Sequence, residues 1–223
     1  MLIYFVRHGH PDYKNDCLTE LGKRQAAAAA ERLRSSGIEK IISSTNGRAV
    51  ETAEYTARAL GLEVDARDFL REISWGAADG EPLPHNGNPW RVVEDWVAEG
   101  KSLADGEWYK KEPFCRSVIS ERAAAVARGF DGLLCELGYA REGEHYRVTR
   151  ENEYKTIAIF SHGGSSTAVL SHFLNLPLPQ LCAHVRQDFT SISAISLPDE
   201  VGALVFPRIK LLNDAEHLRG LGD

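Results

Sequence analysis

Two short apolar runs set the frame of the chain. Leu2-Ile3-Tyr4-Phe5-Val6 is cut off by Arg7-His8-Gly9, and Thr156-Ile157-Ala158-Ile159-Phe160-Ser161 is cut off by His162-Gly163-Gly164. Their length and their β-branched and aromatic content predict buried strands. Ile38 to Ser43 reads as a third strand, and Leu62–Asp65 as a short fourth. Helical patterns lie between them. The first starts at Thr19, which can cap it, with Leu18 as a hydrophobic staple, the Ala26–Ala30 run favouring helix and Gly37 as its stop. A second spans Arg48–Leu60 and stops at Gly61. A long one spans Arg116–Leu137, where Ile119, Ala123, Val126, Phe130, Leu133 and Leu137 form one apolar stripe. Ser165–Leu174 and a short segment near Leu181, framed by Pro177 and Pro179, follow. Two β-rich runs, Ser191–Leu197 and Gly202–Leu212, are expected to pair antiparallel around the Pro198–Gly202 turn.

Two stretches lack this order. Residues 73 to 115 hold Pro82, Pro84, Pro89, Pro113 and all four tryptophans, with a short helix expected around Trp90–Glu99. Long irregular segments of this kind are usually functional loops or lids; the blander alternative is a surface excursion anchored by its aromatics. Arg141 to Lys155 carries four positive and four negative side chains and reads as a solvated excursion. Strands alternating with helices predict a three-layer α/β/α sandwich with a mostly parallel central sheet. No linker divides the chain, so residues 1–223 are expected to form one domain, with 81–115 as a cap insertion.

Composition narrows the function. Lys and Arg number 26 against 32 Asp and Glu, a net charge of −6, which argues against a general nucleic-acid binder. Hydrophobic content of 43% and charged content of 26% are ordinary globular values. No apolar run approaches the roughly 20 residues of a membrane span, so no membrane partner is expected. The opening apolar run stops at Arg7, too short for a signal core. Cys17, Cys115, Cys135 and Cys182 are scattered, without a CxxC pair, which suits buried thiols and a cytoplasmic setting.

In open α/β sheets ligands bind beyond the carboxyl ends of the strands. His8 and His162 both fall there, with Arg7 beside the first and Arg48 opening the helix after Ser43-Ser44. Two guanidiniums can fork onto the oxygens of one phosphate, and the helix starts after Gly47 and Gly164 favour an anion further. Each residue alone has an ordinary reading, a capping histidine or a surface arginine; their joint placement points to a phosphate site.

These residues also carry a resemblance. Arg7-His8-Gly9, the Leu18-Thr19-Glu20-Leu21-Gly22 start with Gln25-Ala26, Ser43-Ser44 through Arg48-Ala49 to Thr52-Ala53, Leu70-Arg71-Glu72 with Gly76 and Gly80, and Ser161-His162-Gly163-Gly164 stand in sequence order. The chain resembles the histidine phosphatase superfamily, also called phosphoglycerate mutase-like. The resemblance implies that His8 is the nucleophile, that Arg7, Arg48, His162 and Gly163 hold phosphate oxygens, and that Glu72 is the acid and base. It implies no cofactor and no metal. Family members often carry Asn six residues after the nucleophile. Lys14 stands there instead, so Asn15 is expected to bind phosphate in a shifted register or to make a different contact. His10 is a pocket contact or a bystander, and Thr19 and Gln25 are expected to be structural.

The implied function is a metal-independent phosphatase of small phosphomonoesters. A phosphoglycerate mutase-type transferase and a catalytically silent phosphate-binding module are the alternatives. Mutases of the family carry an ERHYG-type run where this chain has Glu72-Ile73-Ser74-Trp75-Gly76, which favours hydrolysis. The His8-Gly9-His10 spacing suits metal hydrolases but lacks partner ligands, and Gly163-Gly164-Ser165-Ser166-Thr167 lacks the second glycine of a serine nucleophile elbow. The expected partner is a small phosphorylated substrate or inorganic phosphate, and a homodimer stays open. In the 81–115 stretch, His85, Arg91, Lys101, Lys110 and Lys111, with Trp90, Trp96, Trp108 and Tyr109, are expected to line the pocket mouth.

Overall fold

A computed structural model describes residues 1–221; the last two positions of the expected 1–223 domain lie outside the described residues. The chain opens with β1 (Leu2–Arg7), a small hairpin of β2 (Pro11–Asp12) and β3 (Cys17–Leu18), and α1 (Glu20–Leu33). β4 (Lys40–Ser44), α2 (Gly47–Leu60) and β5 (Val64–Arg67) follow. Then come α3 (Pro89–Ala98), α4 (Ile119–Glu136), β6 (Tyr139–Glu142) and β7 (His145–Val148). The last part holds β8 (Thr156–Ser161), α5 (Gly163–Leu174), α6 (Leu178–His184), β9 (Ile192–Ser196), β10 (Leu204–Val205) and β11 (Arg208–Asp214).

The central sheet has the order β11-β9-β1-β8-β4-β5. β1, β8, β4 and β5 are parallel; β9 is antiparallel to both β1 and β11, so it alone runs against the rest. Alternation along the strands builds the three layers. Ile3, Phe5, Ile157 and Ile159 face a core shared with α3, α4, α5 and α6. Val6, Ala158 and Phe160 face a second core closed by Leu33 of α1 and by Ala53 and Ala57 of α2. Both faces of β1 and β8 are thus dry, which is why each reads as an unbroken apolar run. The expected three-layer α/β/α sandwich is the fold of this chain.

Several local expectations meet the structure in detail. Thr19 caps α1 by accepting from the Gly22 amide at 3.2 Å. Gly61 ends α2 with φ of 69°, a left-handed cap that glycine adopts without penalty. The pairing of the last two β runs is antiparallel, with Ile195 opposite Ile209. Their connection is not the tight turn at Pro198–Gly202, because it detours through β10, which pairs with β7. Arg141–Lys155 is not a solvated excursion either. β6, β7 and β10 form a three-stranded sheet in which Tyr139, Tyr146 and Val148 are buried. Glu142, His145 and Arg147 occupy the opposite face, while Arg141 shares the buried face and donates to the Tyr146 hydroxyl at 2.6 Å, so a period of two was masked by the charge count.

The four cysteines form no disulfide, but only Cys182 is buried. Cys135 lies on the outer side of α4 and Cys115 on a surface turn, both exposed, which corrects the expectation of buried thiols. Among the described residues no helix is long and apolar enough to cross a membrane.

Candidate active site

The carboxyl ends of β1, β4 and β8 bring His8, Ser44 and His162 together, and the start of α2 adds Arg48. His8 and His162 are 1% and 0% exposed, with ring centroids 5.0 Å apart. The His8 ring is oriented by its own loop. Nδ1 lies 2.7 Å from the Gly9 carbonyl oxygen, which can only accept, so Nδ1 carries the proton. Nε2 keeps its lone pair, which accepts from Arg48 Nε at 3.4 Å. His162 Nε2 meets the Ser44 hydroxyl at 2.8 Å, and its buried Nδ1 has no protein partner. Arg7 donates from Nη1 to the Gln187 carbonyl at 2.6 Å and lies 4.1 Å over the Phe189 ring, while its buried Nε has no partner.

Burial dominates the protonation states here. It pushes the His8 pKa down to about 3, with Arg7 and Arg48 acting in the same direction against the Gly9 carbonyl. It pushes His162 down to about 2, helped by His8 and both arginines. Both imidazoles are therefore neutral at pH 7. Glu72 moves the other way: burial raises its pKa against the amides of Ile73 and Ser165 and the pull of Arg7 and Arg48.

Close backbone approach fixes the geometry. A Cβ at Gly9 would lie 2.6 Å from the Gly22 carbonyl oxygen, and one at Gly22 would collide with the His10 carbonyl. Gly9 and Gly22, thirteen residues apart in sequence, thus let the loop after β1 rest on the start of α1. At the other side, Glu72 Oε1 accepts from the Ile73 amide at 3.0 Å and the Ser165 amide at 3.1 Å. A Cβ at Gly164 would stand 2.5 Å from that same oxygen. Gly164, in the first turn of α5, therefore makes room for the carboxyl group.

Of the residues expected in the site, His8, His162, Arg7, Arg48 and Glu72 converge. Gly163 joins them: its Cβ position is 3.7 Å from Arg7 Nε. Asn15 does not. It is exposed, and its side-chain amide donates to Asp12 at 2.7 Å. The position that reaches the site is Asp16, turned inward by a φ of 49°. Its carboxylate accepts from the Gly47 amide at 2.8 Å and pairs with Arg48. His10 is likewise held away from the cavity. Its amide donates to Gln25 Oε1 at 2.8 Å and its Nδ1 meets the Thr19 hydroxyl at 2.9 Å, so Thr19 and Gln25 secure the loop. Phe189, Gln187 and Asp16 had no signal in the sequence, since each acts from a loop with no motif. Ser44 stood inside a matched motif without a role assigned to it.

A cavity of about 880 Å³ opens beside Arg7, Glu72, Gly163 and Gly164. Of the aromatics in the 81–115 stretch, Trp90 lines it and Trp96, Trp108 and Tyr109 do not. Trp96 is 1% exposed in the core, and Trp108 packs on Phe114. The basic residues of this stretch are all met by neighbouring carboxylates: His85 by Asp95, Arg91 by Glu94, Lys101 by Glu99, Lys110 by Glu107 and Lys111 by Asp105. The expectation of a basic pocket mouth is therefore corrected. Local acidic partners absorb the charge that the composition displayed. Among the described residues no three His, Cys, Asp or Glu side chains cluster as metal ligands would.

Residues 3–209 match the family model of the histidine phosphatase superfamily (branch 1). The chain belongs to this superfamily. A probable phosphoglycerate mutase GpmB of Yersinia pestis (strain Pestoides F) is 35% identical over 117 residues, which are 47% of this chain and 54% of that protein. The match thus spans about half the length of such curated relatives. Among solved structures, a mycobacterial glucosyl-3-phosphoglycerate phosphatase with inorganic phosphate aligns with a TM-score of 0.65 at 22% identity, over 97% of this chain and 98% of that one. A phosphoserine phosphatase from Entamoeba histolytica with 3-phosphoglyceric acid aligns with a TM-score of 0.63 at 17% identity, over 97% and 98%. These likenesses establish the superfamily's fold.

Proposed function

We propose that this histidine phosphatase superfamily member hydrolyses phosphomonoesters through a phosphohistidine on His8. The observation that carries the reading is the Nδ1–Gly9 hydrogen bond, which leaves a neutral imidazole with its Nε2 lone pair aimed at the Arg48 side. Nε2 attacks phosphorus in line, a P–N bond forms and the P–O bond to the alcohol breaks. Glu72, whose pKa burial raises, acts as the acid and gives its proton to the departing oxygen. Water then attacks the phosphohistidine, Glu72 takes the proton back, and the P–N bond breaks to release phosphate. Arg7, Arg48, the free Nδ1 of His162 and the Gly163 end of α5 hold the non-bridging oxygens. Removing one such donor typically costs about 10²–10³ in rate. Residues 81–115 act as a cap over this floor, through Trp90, Val93, Glu94, Val97 and Leu103.

The test is turnover of an aryl phosphate in excess chelator, with alkaline denaturing quench to trap the phosphoenzyme. Wild type should turn over and carry acid-labile phosphate; His8→Ala should do neither. Turnover that vanishes with chelator, or that survives in His8→Ala, overturns the reading. The match to a probable phosphoglycerate mutase favours one competing outcome, transfer to a second hydroxyl. Interconversion of 2- and 3-phosphoglycerate faster than phosphate release would establish that instead.

A further inference from the structure

Past the phosphate floor the cavity changes character. Its upper walls are Trp75, Trp90, Val93, Val97, Leu103 and Val185. Trp75 and Trp90 meet edge to face with centroids 5.6 Å apart, and Trp90 is anchored at the first turn of α3, where Asn88 accepts its amide at 3.1 Å. Charged residues of the wall are already engaged. Arg186 pairs with Asp188 at 2.7 Å and Glu94 with Arg91 at 3.0 Å, while His184 stands exposed at the rim. Among the described residues, Arg7 is the one Lys or Arg lining the cavity that has no carboxylate partner, and it belongs to the phosphate floor. At about 880 Å³ the space lies in the upper part of the range of ligand sites, roughly 300–1,000 Å³.

We propose that this site takes monoesters of bulky apolar or aromatic alcohols, with the ring or chain against Trp75 and Trp90, and discriminates against phosphates that bear a second anionic group. The inference rests on the phosphomonoesterase reading above. A carboxylate on the substrate would lose water against Val93, Val97 and Leu103 and gain no free cation in return, since Arg186 is taken up by Asp188. An apolar leaving group avoids that cost and buries its own surface.

The test holds the leaving chemistry constant by comparing three esters of primary alcohols: 3-phenylpropyl phosphate, propyl phosphate and 3-phosphoglycerate, with chelator present. The kcat/KM for 3-phenylpropyl phosphate should exceed that for propyl phosphate by about tenfold or more, since single methylenes in apolar pockets already discriminate by roughly 10–200-fold. 3-Phosphoglycerate should be slowest of the three. Trp90→Ala should pull the phenylpropyl-to-propyl ratio toward one. Val97, already 59% exposed, gives a second variant that does not depend on repacking. Val97→Lys supplies the missing cation and should raise kcat/KM for 3-phosphoglycerate relative to propyl phosphate by about tenfold. Equal rates for the phenylpropyl and propyl esters, a preference for 3-phosphoglycerate, or ratios unmoved by both variants would overturn the substrate class while leaving the phosphatase intact. Absence of turnover on all three together with absence of a trapped phosphohistidine overturns the parent reading, and the substrate class with it.

Discussion

Gly164→Ala tests how the proposed proton donor is seated. The new Cβ would lie 2.5 Å from Glu72 Oε1 and 2.6 Å from Ile73 Cγ1, whereas ordinary contact begins at 3.4 Å. Each group must retreat by about 0.8–0.9 Å, the difference between those distances. The backbone at Gly164 is the first turn of α5 and resists movement, so the carboxyl group yields. In yielding it gives up the 3.1 Å bond from the Ser165 amide and leaves that donor unpaired, at a cost of about 1–3 kcal/mol. The loss of global stability should therefore be about 1–3 kcal/mol, readable as a lower urea midpoint at unchanged m-value. The effect on rate should be larger, because a displacement of about 1 Å at a reacting group costs on the order of 100-fold. It should also depend on the leaving group. An alkyl phosphate, whose alkoxide needs a proton, should lose about 100-fold in kcat/KM. A 4-nitrophenyl ester, whose phenolate leaves unaided, should lose much less. Gly164→Ala with near wild-type kcat/KM on the alkyl ester would refute the seating argument. Equal losses on both esters would show that Glu72 is not the group being moved.

Other expectations follow from the same geometry. Because His8 stays neutral down to about pH 3 and Glu72 must hold a proton, kcat/KM on an alkyl phosphate should fall as pH rises through the raised Glu72 pKa; activity climbing steadily to pH 8 would contradict this. Both buried histidines have folded pKa values far below the unfolded value near 6.5, so the unfolded chain binds more protons and stability falls as pH drops below about 6.5. Between pH 7 and 5 each should remove about 2 kcal/mol, and urea titrations should show that dependence weakened in His8→Asn and His162→Asn. Ile159 is 0% exposed at the centre of β8, so Ile159→Ala should cost about 2–5 kcal/mol in chemical denaturation. Gly22→Ala, whose Cβ would strike the His10 carbonyl, should destabilise the chain and abolish turnover together, and a variant that is stable but inactive would argue against a shared cause.

The central strands were legible because burial on both faces writes itself as an uninterrupted apolar run, as at Leu2–Val6 and Thr156–Ser161. The convergence of Arg7, His8, Arg48 and His162 was legible because all four sit beside strand ends or a helix start, where fold topology dictates position. The rest failed for identifiable reasons. Asn15 and Asp16 differ by one residue in a turn, and a positive φ at Asp16 decides which of them points inward. Gln187 and Phe189 reach Arg7 from a loop that precedes β9, and nothing local in Arg186-Gln187-Asp188-Phe189 announces that contact. The basic residues of the cap were visible, but the carboxylates that neutralise them are paired by tertiary and helical geometry. A charge count over the stretch cannot show who pairs with whom.

The position of β1 bears on how the chain matures. Leu2 pairs with Thr156 on one side and with Ser196 on the other, so the strand that carries His8 has both neighbours far downstream. During synthesis this opening strand leaves the ribosome long before either partner exists. Its apolar side chains and unsatisfied amides stay exposed while α1, β4 and α2 can already gather around one another. Contacts of such high sequence separation fold slowly and leave chains open to misassociation in the interval. The seat of the proposed nucleophile is thus among the last parts of the sheet to close, and nascent-chain length should gate solubility and activity at the same point, once β9 has emerged.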